Sequence, residues 1–130
     1  MIFVDTNYFL RLLIGDEEAQ NRKALALFDN AAAGRTKLFT SLLVFFEISW
    51  VLSSFYGKRK GELIVLLEDI LNLEFIFLEE RPLLEEALQT FRVHSIELED
   101  AYNAAYAKHA DANQFATFDG KLEKFWKAYT

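Results

Sequence analysis

The chain contains no cysteine, which excludes a disulfide framework, a thiolate metal site and thiol-based catalysis. One proline and five glycines in 130 residues leave little room for linkers or long loops. Long apolar runs are missing too. The stretch from Leu42 to Phe46 falls far short of the roughly 20 residues needed to cross a bilayer, so no membrane role is expected. Met1-Ile2-Phe3-Val4-Asp5 has neither a basic start nor the apolar core of a secretory signal, and a cytoplasmic location is the expectation. Positive charge is scarce as well: 14 Lys and Arg stand against 20 Asp and Glu, a net charge of −6. That balance opposes generic nucleic-acid binding, in which Lys and Arg displace counterions from phosphates. It suits either basic partners or acidic residues gathered around cations.

Apolar residues are abundant. A hydrophobic fraction of 52%, with 13 phenylalanines, supplies one real core and argues for a single domain over residues 1–130. No repeat or low-complexity tract interrupts it. Ile2-Phe3-Val4 reads as a short strand, and Asp16 as the cap of a helix that Gly34 stops. Leu38-Phe39-Thr40 is a second strand, and Ser41 caps a helix running to about residue 56. The pattern then predicts a helix over about 62–72, a buried strand over 74–78 and a helix with Pro82 in its first turn. A helix over 96–110, a strand over 114–118 and a short helix from Asp119 complete the chain. Strands separated by helices pair in parallel through right-handed crossovers. The expected fold is therefore α/β, a three-layer α/β/α sandwich around a central parallel sheet of about four strands. Ligands in such sheets bind beyond the carboxyl ends of the strands.

Four carboxylates draw attention against that frame. Asp5 follows the first strand and Asp119 follows the predicted last one, so each sits where a ligand site is expected. Helix capping is the ordinary alternative for both. Glu47 has Leu43, Val44, Trp50 and Val51 as its helical neighbours, with no Lys or Arg between Ser41 and Gly57. A glutamate on a buried apolar stripe costs on the order of several kcal/mol unless a cation or another partner compensates it. Asp100 lies early in its helix beside Glu97 and Glu99, where acids complement the helix dipole. Its face carries Asn103, Ala104 and Ala107, and Glu97 shares that face as a supporting ligand. Thr6, Asn7 and Thr117 are placed to steady these acids by hydrogen bonding. Carboxylates held close together raise one another's pKa unless a cation neutralises them. Oxygen-only donors favour Mg²⁺ or Mn²⁺ over zinc, and neither His94 nor His109 adds a convincing ligand.

The chain resembles the PIN-domain nucleases, and in particular the VapC-like toxins of toxin–antitoxin pairs. Val4-Asp5-Thr6-Asn7 is similar to the family's opening acidic motif, and Phe46-Glu47-Ile48 to its helical glutamate. Glu99-Asp100-Ala101 resembles the third acid, and Thr117-Phe118-Asp119 the late Thr-x-Asp. The resemblance implies a ribonuclease that uses Mg²⁺ or Mn²⁺ to activate a water for in-line attack on an RNA phosphodiester. Asp5 and Asp119 would be direct metal ligands, with Glu47 and Asp100 completing the acidic ring or acting through water. A homodimer and a cognate antitoxin are implied partners.

Arg11, Lys121 and Lys124 lie nearest the acids in sequence and are the expected phosphate contacts, ahead of the basic turn Lys58-Arg59-Lys60. A non-catalytic PIN-like interaction module is the rival of a different class, and a PIN nuclease working in RNA processing is a third reading. An aspartyl phosphatase needs Asp-x-Asp after the first strand, and here Asn7 stands in the third position.

Overall fold

The computed structural model describes residues 1–129. Ile2–Phe3 (β1), Leu38–Thr40 (β2) and Ile76–Leu78 (β3) pair in parallel in the order β1-β2-β3. Ile2 sits opposite Leu38 and Leu38 opposite Ile76, so Phe3, Phe39 and Phe77 form the next rung. Parallel neighbours need crossovers. Thr6–Ile14 (α1) and Glu18–Ala32 (α2) make the first, and Leu42–Ser54 (α3) and Lys60–Leu71 (α4) the second. Because the strand order advances in one direction, right-handed crossovers place both helix pairs on one sheet face. The alternation of the strands agrees: Val4, Leu38, Thr40, Ile76 and Leu78 are buried, while Phe3 and Phe77 on the alternate positions are exposed.

Local signals set the boundaries. Ser41 caps α3 as expected, its Oγ accepting from the Val44 N–H at 3.2 Å. Gly15 ends α1 at φ +67°, the left-handed conformation that glycine adopts without penalty, and its N–H reaches the Arg11 carbonyl at 3.1 Å. Asp16, expected to cap α2, does not. The cap position is Glu17, with no side-chain bond, because the Asp16 carboxylate is taken by Arg11 at 2.9 Å and by the Tyr56 hydroxyl at 3.0 Å. An ion pair to a guanidinium outcompetes a neutral cap donor.

The chain divides into two compact units, Met1–Glu79 and Glu80–Thr130. The first holds the sheet with α1 to α4. The second holds Arg81–Val93 (α5), Leu98–His109 (α6) and Gly120–Tyr129 (α7). Small residues Ala101, Ala104 and Ala105 on α6 are buried, and α6 packs closely on α5, whose buried side includes Leu84, Ala87 and Leu88. Glu86 on α5 bonds His109 at 2.9 Å and accepts from the Tyr129 hydroxyl, tying the three helices together.

The strand expected over 114–118 is not formed, so the described residues give three strands where about four were expected. Phe115 packs on Trp126 of α7 at 5.2 Å between ring centroids, and the Phe118 side chain is fully in solvent. The apolar alternation of that segment serves a helix contact rather than a ladder. Among the described residues, no helix is long and apolar enough to cross a membrane.

Candidate active site

In the first unit the site is built around Thr6. Asp5 leaves the carboxyl end of β1 in an extended conformation and caps α1, with its Oδ1 accepting from the Thr6 N–H at 2.8 Å. Thr6 itself is only 4% exposed, and its hydroxyl donates to Glu47 Oε1 on α3. One residue therefore positions both acids, Asp5 through its backbone and Glu47 through its side chain. Asp5 Oδ2 and Glu47 Oε2 make no hydrogen bond among the described residues, which leaves one open oxygen on each carboxylate. Nearby, the Thr40 hydroxyl donates to the Val4 carbonyl at 2.8 Å and fixes the strand end from which Asp5 emerges.

Glu47 does not lie on a buried stripe, as its neighbours suggested. It is exposed, and it is flanked by Leu43 and Trp50, which are 77% and 64% exposed. The buried side of α3 is Val44, Phe45, Ile48, Ser49 and Leu52. A helix that is apolar almost all round gives no periodicity from which its inner face can be read. The compensation that sequence reasoning assigned to a cation comes, for one oxygen, from the Thr6 hydroxyl. Asn7, expected to steady a carboxylate, is exposed and makes no side-chain hydrogen bond among the described residues.

The second unit holds the other two candidate acids, Asp100 on α6 and Asp119 at the cap of α7. Asp119 Oδ1 accepts from the N–H groups of Lys121 at 3.0 Å and Leu122 at 3.2 Å, so the capping role and a free Oδ2 coexist. The Thr117 hydroxyl accepts from the Asp119 N–H at 3.0 Å, steadying the backbone rather than the carboxylate. Asp100 is half-buried in the first turn of α6. Burial pushes its carboxyl above the usual carboxylate range, and repulsion from Asp119 and then Glu97 adds to the shift. Glu97 occupies the N-cap of α6 without a side-chain cap bond.

This shift has a thermodynamic consequence. Asp100 holds its proton more tightly in the folded chain than in the unfolded one, where its value is near 3.8. Its contribution is thus fully present below that value and is lost as pH rises through the higher folded value. Asp100→Asn should therefore raise the melting temperature at neutral pH, with the gain vanishing below the unfolded value. Thermal melts of both proteins at the two pH values check this, and an unchanged or lower neutral-pH melting temperature would refute it.

No three His, Asp or Glu side chains among the described residues group tightly enough to enclose an ion on their own. Taken unit by unit, the candidate donors are of the type that a hard divalent cation takes. All are carboxylate oxygens: Asp5 and Glu47 in the first unit, and Asp119 in the second, each keep one oxygen open.

Of the expected phosphate contacts, Arg11 is already engaged by Asp16, by Gln20 at 2.6 Å and by Tyr56 at 3.3 Å. Lys121 and Lys124 are exposed on α7, without ion pairs among the described residues. Sequence reasoning passed over Tyr8, Gln20 and Lys23, which with Asn7 and Arg11 line a cleft of about 280 Å³ between α1 and α2. The spacing of Tyr8 and Arg11, and of Gln20 and Lys23, one helical turn apart, is the signal that was available.

A family model for the PIN domain matches residues 2–127. Among solved structures, the VapC20 toxin of Mycobacterium tuberculosis, described as cleaving the sarcin–ricin loop, is 20% identical. The alignment covers 96% of this chain and 95% of that one, with a TM-score of 0.45. No curated protein matches the sequence.

Proposed function

We propose, because this chain belongs to the PIN-domain family, that it is a metal-dependent endoribonuclease hydrolysing RNA phosphodiester bonds. The observation that carries this reading is the Thr6 clamp, which orients Asp5 and Glu47 together at the carboxyl end of a parallel strand. Asp5 and Asp119 are assigned as direct ligands of Mg²⁺ or Mn²⁺, and Glu47 and Asp100 as acids that complete the site or act through water. When bound, the ion supplies an activated water and positive charge at the scissile phosphate. The protein's own part is to fix these carboxylates and to accept the proton released as water attacks phosphorus and the leaving oxygen departs. Such chemistry reconciles an acidic chain with an anionic substrate, since the cation brings the missing positive charge.

The assignment as a toxin rests on the four acidic motifs and their order. It carries with it a cognate antitoxin and a homodimer as partners, and a cytoplasmic site of action.

Cleavage of total RNA titrated with Mg²⁺ and Mn²⁺ is the direct test. Activity is expected to rise with metal and to disappear in chelator. Absence of cleavage at every metal concentration would overturn the reading in favour of a non-catalytic interaction module.

A further inference from the structure

We propose that the cleft between α1 and α2 is a subsite for one nucleotide of single-stranded RNA beside the scissile bond. The inference rests on the nuclease reading above and adds to it the part of the chain that grips the strand. An acidic protein must place its few cations deliberately to hold a polyanion. Of the two adjacent cations on α2, Arg22 lies 3.8 Å from Glu18, whereas Lys23 has no ion pair among the described residues and lines the cleft. Arg11 forms its other wall, its charge paired with Asp16 at 2.9 Å and its position fixed by Gln20 and Tyr56. Lys23 is thus the cation left for a phosphate, and Arg11 adds a preset hydrogen-bonding edge. A prefixed guanidinium loses little freedom on meeting a ligand.

The remaining lining is suited to a base. Tyr8 is partly exposed and offers a ring for stacking, which is sequence-tolerant. Asn7 presents an uncommitted amide. Gln20 uses its oxygen on Arg11 Nε and keeps its NH₂ group for a base edge. A volume of about 280 Å³ is the size of a single small ligand rather than of a folded partner. Asn7 also lies two residues after Asp5 on the helix that Asp5 caps, so a nucleotide held here continues toward the acidic site.

Two other clefts lack this combination. The one lined by Phe3, Phe39, Phe77 and Glu79 has no cation, and the one lined by Phe115 and Trp126 has its Lys127 paired with Glu123 at 3.3 Å.

The test measures binding of a short fluorescent single-stranded oligoribonucleotide in chelator, so that no cleavage intervenes, and then metal-dependent cleavage of the same strand. Lys23→Ala and Tyr8→Ala should each weaken binding by roughly 5- to 50-fold. Lys23→Ala should also lower the slope of log K against log salt by about 0.7. Tyr8→Phe, which keeps the ring, should retain most of the affinity. In cleavage, KM should rise while kcat stays within about twofold. If wild type cleaves and both variants bind and cleave like it, the subsite is wrong and the nuclease reading survives. Weakened binding in a protein that cleaves nothing supports the subsite and overturns the catalytic reading. Undetectable binding by wild type, or a fall in kcat with KM unchanged, also overturns the subsite.

Discussion

Asp5→Asn is expected to lower metal-dependent RNA cleavage by about three orders of magnitude while leaving the fold in place. Asparagine keeps an oxygen that can accept from the Thr6 N–H, so the cap of α1 survives, and the stability change should stay within about 0.5 kcal/mol. What disappears is the negative charge assigned to the metal. Asp119→Asn should behave alike, since an amide oxygen can still accept from Lys121 and Leu122 at the start of α7. The two acids belong to different units of the chain, which makes the double variant informative. If both acids serve one reaction, removing the second should cost little beyond the first. Kinetics on purified protein, paired with thermal melts, check each statement. Cleavage by Asp5→Asn within tenfold of wild type would end its assignment as a ligand.

Thr6→Val is expected to cost about 10- to 100-fold in activity, the range for partners that orient metal-binding carboxylates. Valine preserves the shape of a buried side chain and removes only the hydroxyl that holds Glu47. Glu47 is exposed and regains water, so the loss of stability should be about 1 kcal/mol. The backbone N–H that orients Asp5 is untouched. Loss should therefore show as a weaker response to metal rather than as unfolding, and Thr6→Ser should restore most of it. Full activity in Thr6→Val, or a Thr6→Ser variant no better than valine, would show that the clamp does not matter to the reaction.

Much of the scaffold was legible because it follows from local chemistry. Ser41 caps α3 and Pro82 lies in the first turn of α5, as their residue types dictate. The two strands at Leu38–Thr40 and Ile76–Leu78 stood out as short apolar segments between helices. Failures occurred where a side chain had two competing uses. Asp16 is a good cap by type, but Arg11, five residues before it, and Tyr56, 40 residues after it, claim its carboxylate. Segment 114–118 has the alternation of a strand, but Trp126 offers Phe115 a better partner than a ladder does.

The candidate acids show the same division. Sequence alone could mark Asp5 and Asp119 as acids at the junctions into helices, because capping is read within a few residues, but the strand end expected before Asp119 is not formed. It could also exclude thiolate ligands, since cysteine is absent. Only the tertiary structure decided that Glu47 faces outward and is held by a hydroxyl 41 residues away. It likewise decided that Lys23 comes beside Arg11 in one cleft, and that Asp100 feels the charge of Asp119. Burial, hydrogen bonding and charge repulsion act through space at a few ångströms. A linear pattern specifies them only when the partners are also neighbours along the chain.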